Sequence, residues 1–593
     1  MRTGLWLSGV VALVIASVLA AQERPGSPRP AARLARSGAV LAEIRGEDIA
    51  AHVQFLADDL LEGRAPSTRG GDLAAKYLAA QLALLGYGPG AADGTFFQQV
   101  PIVETLVDPS FTLAVGAGAP FRYLEDVVAG SDIQQPQVRV AGDVVFVGHG
   151  IVAPEYDWND YAGVDMKGKI ALVMVNDPPA TGGEPLLFGG PALTYYGRWT
   201  YKFEEAARQG AAGAILIHTD ESATYAWQVV QSGFSGTQYS IPAVDGAPQL
   251  SLTAWVTDRA AREIAKRGGQ DLDALRTAAV ARGFKAVPLG VQASGSITQT
   301  VAQKTSPNVI GVLRGTNESE AVIYTAHYDH LGVRELKPGE SPDVDRISNG
   351  ATDNATGLAG VLEVAQSLAR SRTRPGRSIY VLFTTAEESG LLGAAYFADH
   401  PVLPAAGWVA NINIDSLNMA GPSRDIVLLG AERSTLGALA AQLAAETDRV
   451  VGPDPEPGRG YFFRSDHFPL AKIGIPAVSV GEPIDFIGPD PAASKRFWEE
   501  YNAKRYHNVD DEILPSWNYE GAVHDLRFLA ELGWRIANLA VKPSYHPNEQ
   551  FARPRLEGGD RGSGIGSERT GHDRRHQGRS RTYPRRGGPH AAR

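Results

Sequence analysis

The chain has 593 residues, of which 44% are apolar and 21% are charged, and its formal net charge is -10. This length exceeds one ordinary domain, and this apolar fraction excludes a chain that is disordered throughout. The sequence contains no cysteine. Disulfides, thiolate catalysis and thiolate metal ligands are therefore excluded, and a metal would have to be held by histidines and carboxylates.

The first 21 residues have the pattern of an export signal. Arg2 precedes an apolar run over residues 5–20 that ends in small residues. We therefore predict a signal peptide over 1–21 and export to the periplasm or the medium. No stable membrane anchor is expected, since the run is short for a hydrocarbon core of about 30 Å. A linker rich in Pro, Arg and Ala is predicted over 22–42.

The next part of the chain changes from helical to β-rich patterns. Apolar residues recur every three or four positions over 48–60 and 71–85, which predicts two helices over 43–104, the N-terminal part of the domain that resumes at residue 301. Within 105–300, the stretches DYAGVDMKGKIALVMV and EEAARQGAAGAILIH resemble the protease-associated domain inserted in several exopeptidase families. That resemblance implies a β-rich insert domain that gates or places substrate, and a purely structural insert is an open alternative.

Strands and helices alternate over 301–545, beginning with NVIGVLRG and AVIYTAHY. This alternation predicts an α/β fold, with a mixed, mostly parallel sheet and helices on both faces, whose ligands bind at the carboxyl ends of the strands. The remaining residues, 546–593, are rich in Arg and Gly and are predicted to be a disordered basic tail. The folded part is correspondingly acidic, so no nucleic-acid partner is expected.

Acidic and histidine residues follow the predicted strands. His327 and Asp329 close the strand AVIYTA, and the Asp329 carboxylate could turn back to orient the imidazole. Asp353 lies in GATDNATG, directly before a helix, where it either caps the helix or bridges two metal ions.

Two further strands end in carboxylates. Glu387 and Glu388 follow SIYVLFTTA, and neighbours in an extended chain point to opposite sides, so one can face a metal and the other a water. Asp415 ends the strand WVANINID. Two late motifs add histidines: SDHFPLAKIGIP contains Asp466 and His467, and YHNVDDE contains Tyr506 and His507. Taken alone, neither histidine can be identified as a metal ligand.

Taken together, these motifs resemble the M28 family of zinc exopeptidases, which includes secreted bacterial aminopeptidases. The matched motifs are HYDHLG, GATDNATG, AEESGLLGA, NINID, SDHFPLAKIGIP and YHNVDDE. The resemblance implies the zinc exopeptidase fold and a site with two Zn²⁺ ions, although Co²⁺ or Mn²⁺ would suit the same ligands. One ion would be held by His327, Asp353 and Asp415, and the other by Asp353, Glu388 and His507. His507 is preferred to His467 because the final ligand in the family follows a tyrosine.

The same resemblance implies a mechanism and a substrate class. Glu387 would be the general base, and Tyr506 would hydrogen-bond the oxyanion. The expected partners are peptide or protein substrates, and the oligomeric state is not readable. A carboxypeptidase or dipeptidase would use the same site, with a basic pocket for the C-terminal carboxylate as its distinguishing feature. A noncatalytic binding module is a third alternative, and the M20 family a fourth, although the interval between Asp415 and His507 leaves little room for the M20 dimerisation domain.

Overall fold

A computed structural model describes residues 43–552, except residues 224, 337, 338, 489, 491 and 548. The predicted signal peptide, the linker over 22–42 and nearly all of the basic tail lie outside the described residues. The first elements are α1 (Gly46–Leu56), α2 (Arg69–Leu84) and β1 (Gly88–Pro89). Both predicted helices are present, and the Thr68 side chain caps α2 by accepting the Gly71 N–H at 3.2 Å.

The next part of the chain, from β2 to α7, falls within the predicted insert domain or just before it. Its described residues form short strands and five α-helices. The strands are β2 (Phe97–Val107), β3 (Thr112–Val115), β4 (Phe121–Arg122), β5 (Val127–Gly130), β6 (Gln137–Phe146), β7 (Val152–Ala153), β8 (Trp158–Asn159), β9 (Ile170–Met174), β10 (Gly213–His218), β11 (Thr237–Ser240) and β12 (Leu252–Thr257). The helices are α3 (Trp199–Arg208), α4 (Asp220–Ala223), α5 (Trp227–Gly233), α6 (Asp258–Arg267) and α7 (Leu272–Ala279).

The C-terminal part continues the α/β alternation. Its strands are β13 (Val287–Leu313), β14 (Asn317–His327), β15 (Gly332–Val333), β16 (Ile347–Ser348), β17 (Arg377–Thr384), β18 (Trp408–Asn413), β19 (Asp425–Leu429), β20 (Val450–Gly452) and β21 (Ala477–Gly481). Its helices are α8 (Gly357–Ala369), α9 (Leu392–Asp399), α10 (Leu436–Glu446), α11 (His467–Lys472), α12 (Ala493–Lys504) and α13 (Tyr519–Asn538).

The central sheet of the C-terminal part is mixed and mostly parallel at its centre, as predicted. Strand β14 lies between β17 and β18 and is parallel to both, and β21 is parallel to β18. Strand β13 pairs antiparallel with β17, and β19 pairs antiparallel with β21. Every residue of β17 is buried, as expected for a strand covered on both faces. The carboxyl ends of the parallel strands therefore meet at one edge of the sheet.

Helices cover both faces of this sheet. On one face, α1, α2, α8 and α13 bury residues such as Val53, Leu78 and Leu526 in one core. On the other face, Phe397 of α9 and Leu470 of α11 pack in a second core. The fold class predicted from the sequence is thus confirmed.

The β-rich region has a core of its own. Strands β6, β9, β10 and β12 lie side by side and are parallel to one another, and β13 and β5 pair antiparallel with the two outer strands. These strands bury residues such as Phe146, Leu172 and Ile215. Strand β13 runs for 27 residues, pairs with β6 in its first half and with β2 and β17 in its second, and so crosses the predicted boundary at residue 300 without a break. The limits of the insert domain stay a prediction.

The last described residues pack against the peptidase part. The predicted tail begins at 546, yet Phe551 is 7% exposed and packs between Phe462 and Phe468, so the packed chain extends beyond that boundary. Among the described residues, no helix combines the length and apolar character needed to cross a membrane.

Candidate metal centre

The strand order brings the predicted site residues to one edge of the sheet. Strand β14 ends at His327, Glu387 and Glu388 follow the end of β17, and Asp415 follows the end of β18. Because these three strands are neighbours and parallel, their carboxyl-terminal loops lie side by side. Asp353 joins them from the turn before α8.

Asp353 is the carboxylate that the two predicted ligand sets share. The His327 Nε2 atom lies 3.2 Å from Asp353 Oδ1 and 3.1 Å from Asp415 Oδ1. The His507 Nε2 atom lies 3.5 Å from Asp353 Oδ2 and 3.0 Å from Glu388 Oε2. Each imidazole therefore faces one oxygen of Asp353 and one carboxylate of its own, which is the grouping expected for two ions that share Asp353.

Glu387 lies inside the same cluster. Its carboxylate, the His327 imidazole and the Asp415 carboxylate have ligand atoms within 4.8 Å of one another, as do those of His327, Asp353 and Glu388. Its side chain is 8% exposed. Burial, together with the charges of Asp415 and Glu388, raises the pKa of Glu387 well above its usual range even though His327 opposes the rise.

The other charged groups of the cluster favour their ionised forms. Burial opposes ionisation of Asp353 and Glu388, but the adjacent imidazoles outweigh it, holding the pKa of Asp353 well below its usual range and that of Glu388 at about 2. Burial also opposes protonation of the imidazoles. The charges of Glu387 and Asp415 nonetheless raise the pKa of His327, and Glu388 and Asp353 raise that of His507 to about 10.

Asp329 supports the site in a different way from the one predicted. The His327 Nδ1 atom lies 3.0 Å from the main-chain oxygen of Asp329, so the peptide carbonyl and not the carboxylate orients the imidazole. The Asp329 carboxylate instead accepts the N–H groups of Glu387 at 3.0 Å and Glu388 at 3.4 Å. Burial raises the pKa of Asp329 to about 6.

The sequence analysis placed Glu387 and Glu388 in an extended chain, but the structure places them in a turn. Strand β17 ends at Thr384, and Ala386 has a φ of 54°, in the left-handed region. The Gly390 N–H donates to the Glu387 carbonyl at 2.9 Å and closes a turn. The two side chains therefore diverge because of this turn and not because of strand pleating.

Several supporting residues were missed. His330 Nδ1 lies 2.6 Å from Glu388 Oε1, and the Asp511 carboxylate accepts the N–H groups of Thr352 and Asp353 at 3.0 to 3.1 Å. Both residues stand within motifs already recognised, HYDHLG and YHNVDDE, so their position beside proposed ligands was the available signal.

Arg64 was also missed, and no motif marks it. It is fully buried between the loops of the site. Its guanidinium donates to the carbonyl oxygens of Tyr328 at 2.9 Å, Asn349 at 2.6 Å and Gly350 at 3.1 Å, and also to that of Leu56. It thereby fixes the loop after β14 to the loop that carries Asp353.

The structure separates the two late histidines. His467 is fully buried, and its ring contacts the Phe462 ring edge-on at 4.8 Å, with no ion pair to an acid in the described range. Burial lowers the pKa of His467 to about 3. Its neighbour Asp466 accepts a hydrogen bond from the Thr384 hydroxyl below the site. The Tyr506 ring stacks on His507 with centroids 3.9 Å apart.

The imidazole nitrogens and carboxylate oxygens of the cluster suit divalent cations as ligands. Because a carbonyl can only accept, His327 Nδ1 carries a proton, and Nε2 points at two carboxylate oxygens 3.1 to 3.2 Å away. A proton or a metal ion must therefore lie between Nε2 and these oxygens. The surrounding carboxylates outnumber the cationic groups: Asp329, Asp353, Glu387, Glu388, Asp415, Asp466 and Asp511 stand against His327, His330, His507 and the Arg64 guanidinium. Such a concentration of largely buried carboxylates is costly unless further cations neutralise it.

The fold and the site define an α/β protein with a candidate dinuclear metal centre at the carboxyl edge of a mixed sheet. Residues 308–527 match the sequence model of Peptidase family M28, the family that the motifs resemble.

Individual proteins resemble longer or shorter parts of the chain. Aminopeptidase YwaD of Bacillus subtilis is 26% identical over 42% of this chain and 40% of its own length. Leupeptin-inactivating enzyme 1 of Streptomyces exfoliatus is 26% identical over 29% of this chain and 38% of its own length. The alignments thus span about two-fifths of these relatives. The aminopeptidase from Aneurinibacillus sp. strain AM-1 overlays on 86% of this chain and 97% of its own, with 20% identity and a TM-score of 0.47.

Proposed function

We propose that the chain is a zinc-dependent exopeptidase that removes N-terminal residues from peptides. The observation that carries the proposal is the shared carboxylate: Asp353 stands between His327 and His507, with Asp415 and Glu388 completing the two sets. Two three-ligand sets of this kind leave coordination positions for water and substrate. The M28 match and the resemblance to YwaD support the same conclusion.

The ligand chemistry specifies what the metal would contribute. His327, Asp353 and Asp415 would hold one ion and Asp353, Glu388 and His507 the other; Zn²⁺ suits these nitrogen and oxygen donors, as would Co²⁺ or Mn²⁺. When bound, such a pair of ions lowers the pKa of a water molecule toward neutrality and polarises the scissile carbonyl.

The remaining site residues perform the proton transfers. Glu387 accepts a proton from the attacking water and later passes it to the leaving amine, a role that contributes about 10² to 10⁴-fold in rate. The Tyr506 hydroxyl donates a hydrogen bond to the developing oxyanion, which its stacking on His507 makes geometrically accessible.

The first experiment tests the reaction class. We expect the zinc-loaded protein to hydrolyse leucine p-nitroanilide, to lose this activity on treatment with a chelator and to regain it with Zn²⁺. N-acetyl-leucine p-nitroanilide should survive, since an aminopeptidase needs the free α-amine. Cleavage of both anilides would contradict the aminopeptidase assignment, and activity that persists without metal would contradict the metallopeptidase assignment.

A matched pair of substitutions tests the roles of the two glutamates. We expect Glu387→Gln to retain zinc and to lose about 10² to 10⁴-fold in kcat. We expect Glu388→Gln to lose zinc as well, because Glu388 faces His507 as a ligand. Zinc loss in Glu387→Gln with zinc retained in Glu388→Gln would mean that the two roles are exchanged.

Export is part of the proposal and rests on residues 1–21 of the sequence. N-terminal sequencing of protein recovered from the periplasm or the medium should begin after this segment. Recovery of the full-length chain inside the cell would contradict export.

A further inference from the structure

The candidate metal centre opens into a cavity of about 600 Å³, within the range of small-molecule sites. Its lining includes the site residues Glu387, Asp415 and His507. Residues of the β-rich region, among them Arg198 and Trp199, line it as well. This region is held against the peptidase part by direct contacts, among them the Leu193 N–H to the Pro457 carbonyl at 2.9 Å.

Two arginines line this cavity without a counter-ion. Arg198 stands at the start of α3, and Arg464 lies in the RSDH motif before α11. Neither guanidinium forms an ion pair with a residue in the described part of the chain, and the buried Nε atom of Arg198 has no hydrogen-bond partner there. Arg459, which lines the same cavity, is by contrast paired with Glu456 at 3.1 Å.

The two guanidinium groups line the same cavity and act on each other electrostatically. Burial and, after it, the positive charge of Arg464 lower the pKa of Arg198 to about 10. Two like charges that face a half-buried cavity are costly unless an anion binds between them. Arginine is suited to that task, since its planar donors match the two oxygens of a carboxylate.

Four of the carboxylates that line the cavity are committed elsewhere. Asp353, Glu388 and Asp415 face the imidazoles of the metal centre, and Glu204, at the cavity wall, accepts the Tyr195 hydroxyl at 2.6 Å. Arg464 itself lies within electrostatic reach of Tyr506 and Glu387, so an anion held there would be near the reaction centre.

We propose that Arg198 and Arg464 bind a carboxylate of the substrate, so that the preferred substrates carry a negative charge close to the scissile peptide bond. The inference rests on the proposed exopeptidase function and specifies its substrate class. Two sources supply this chemistry: the free C-terminus of a dipeptide, or an acidic side chain next to the scissile bond. The β-rich region thereby contributes a specificity residue, Arg198, to a site whose metal ligands come from the peptidase part.

The experiment compares substrates that differ by one carboxylate. Values of kcat/KM are measured on the zinc-loaded protein for Leu-Leu against Leu-Leu amide, and for Leu-Glu amide against Leu-Gln amide. We expect at least one pair to favour the charged member by about 10 to 100-fold, the range of a charged hydrogen-bonded contact. The first pair reports a C-terminal carboxylate, and the second an acidic side chain.

Substitutions assign the preference to the arginines. In Arg198→Gln and Arg464→Gln, we expect the ratio of kcat/KM between charged and neutral substrates to fall toward one. The ratio is measured within one preparation, so a partly unfolded variant does not alter it. Arg459→Gln is the matched control and should keep the ratio, because Glu456 already neutralises Arg459.

The outcomes separate this inference from the function on which it rests. A ratio near one in the unsubstituted protein, with leucine p-nitroanilide still hydrolysed, would overturn the carboxylate site and leave the exopeptidase intact. A preference that survives both arginine substitutions would overturn the assignment to these residues. Absence of any metal-dependent hydrolysis would overturn the proposed function itself.

Discussion

Two of the places where the described chain buries charge differ in how their acids are partnered. In the β-rich region, the Lys202 ammonium is fully buried, donates to the Asn176 carbonyl at 3.0 Å and lies near Asp160 and Asp177. Asp160 accepts the Ile151 N–H at 3.0 Å and the Trp158 indole N–H at 2.8 Å. Each acid there has its own neutral donors as well as a nearby cation.

At the carboxyl edge of the peptidase sheet, the acids face imidazoles and one another. The carboxylates of Asp353, Glu388 and Asp415 point at the Nε2 atoms of His327 and His507, and each such pair needs a proton or a metal ion between its atoms. The contrast indicates that a buried charge cluster favours a metal site when several acids converge on imidazole nitrogens, and a structural role when each acid has its own neutral donors and a nearby lysine. Each prediction below tests one side of this contrast.

The largest effect is expected for Asp353→Asn. Because both ligand sets contain this carboxylate, we expect the variant to lose both zinc ions and at least about 10³-fold in kcat/KM. Metal content by mass spectrometry and anilide turnover measure the two effects. Asp177→Asn, in the cluster around Lys202, is the matched control and should retain the metal. Full metal content in Asp353→Asn would contradict the shared-ligand arrangement.

A substitution of Arg64 should affect stability and metal affinity together. Arg64→Met leaves several buried carbonyl oxygens without a donor, so we expect the free energy of unfolding to fall by about 3 to 5 kcal/mol. Zinc affinity should fall by about 10 to 100-fold, because the loops after His327 and before Asp353 lose their common anchor. Denaturant unfolding and zinc titration measure these changes.

The control for Arg64 is a nearby arginine at the surface. Arg69 begins α2, and its side chain is 76% exposed. Arg69→Met should leave both the unfolding free energy and the zinc affinity within error of the unsubstituted values. An equal effect of the two substitutions would contradict a specific role for Arg64.

Much of the fold was predictable because its strands and helices carry strong local patterns. The run SIYVLFT predicted β17, and GLAGVLEVAQSLA predicted α8. The gathering of His327, Asp353 and Asp415 followed from parallel strands whose carboxyl ends share one edge, together with the family motifs.

Other contacts were not predictable because they join residues that are distant in sequence. Arg64 meets carbonyl oxygens more than 260 residues away, and its own surroundings in the sequence give no sign of this. The carboxylate of Asp329 bonds two N–H groups that become available only because a left-handed Ala386 turns the chain after β17. The approach of Arg198 to the cavity depends on how the β-rich region packs, which periodicity does not report.

In the cluster around Lys202, Lys202→Met should destabilise the fold without removing metal. The substitution leaves Asp160 and Asp177 without their nearby cation, and we expect a loss of about 3 kcal/mol at pH 7.5. Burial raises the pKa of each acid to about 6, and Lys202 opposes that rise, so both acids become neutral at pH 5 in the variant. The destabilisation should therefore be smaller at pH 5. Loss of zinc from Lys202→Met would show that the two clusters are coupled.

The smallest effect concerns the histidine that lies outside the site. Burial lowers the pKa of His467 to about 3, below the ordinary value of 6.5. Between these values the unfolded chain binds a proton that the folded chain does not, so this residue makes stability fall as the pH decreases from 6.5 to 3. At pH 5.5 the loss of stability is roughly 1.4 kcal/mol.

Denaturant unfolding of the metal-free, chelator-treated protein at pH 7.5 and 5.5 measures this effect. The free energy of unfolding should depend less on pH in His467→Gln, by about this amount. His400→Gln, at the exposed end of α9, should keep the original dependence. If His467→Gln kept it too, His467 would have to be protonated in the folded protein, which would place it with the charged groups of the site and not with the core.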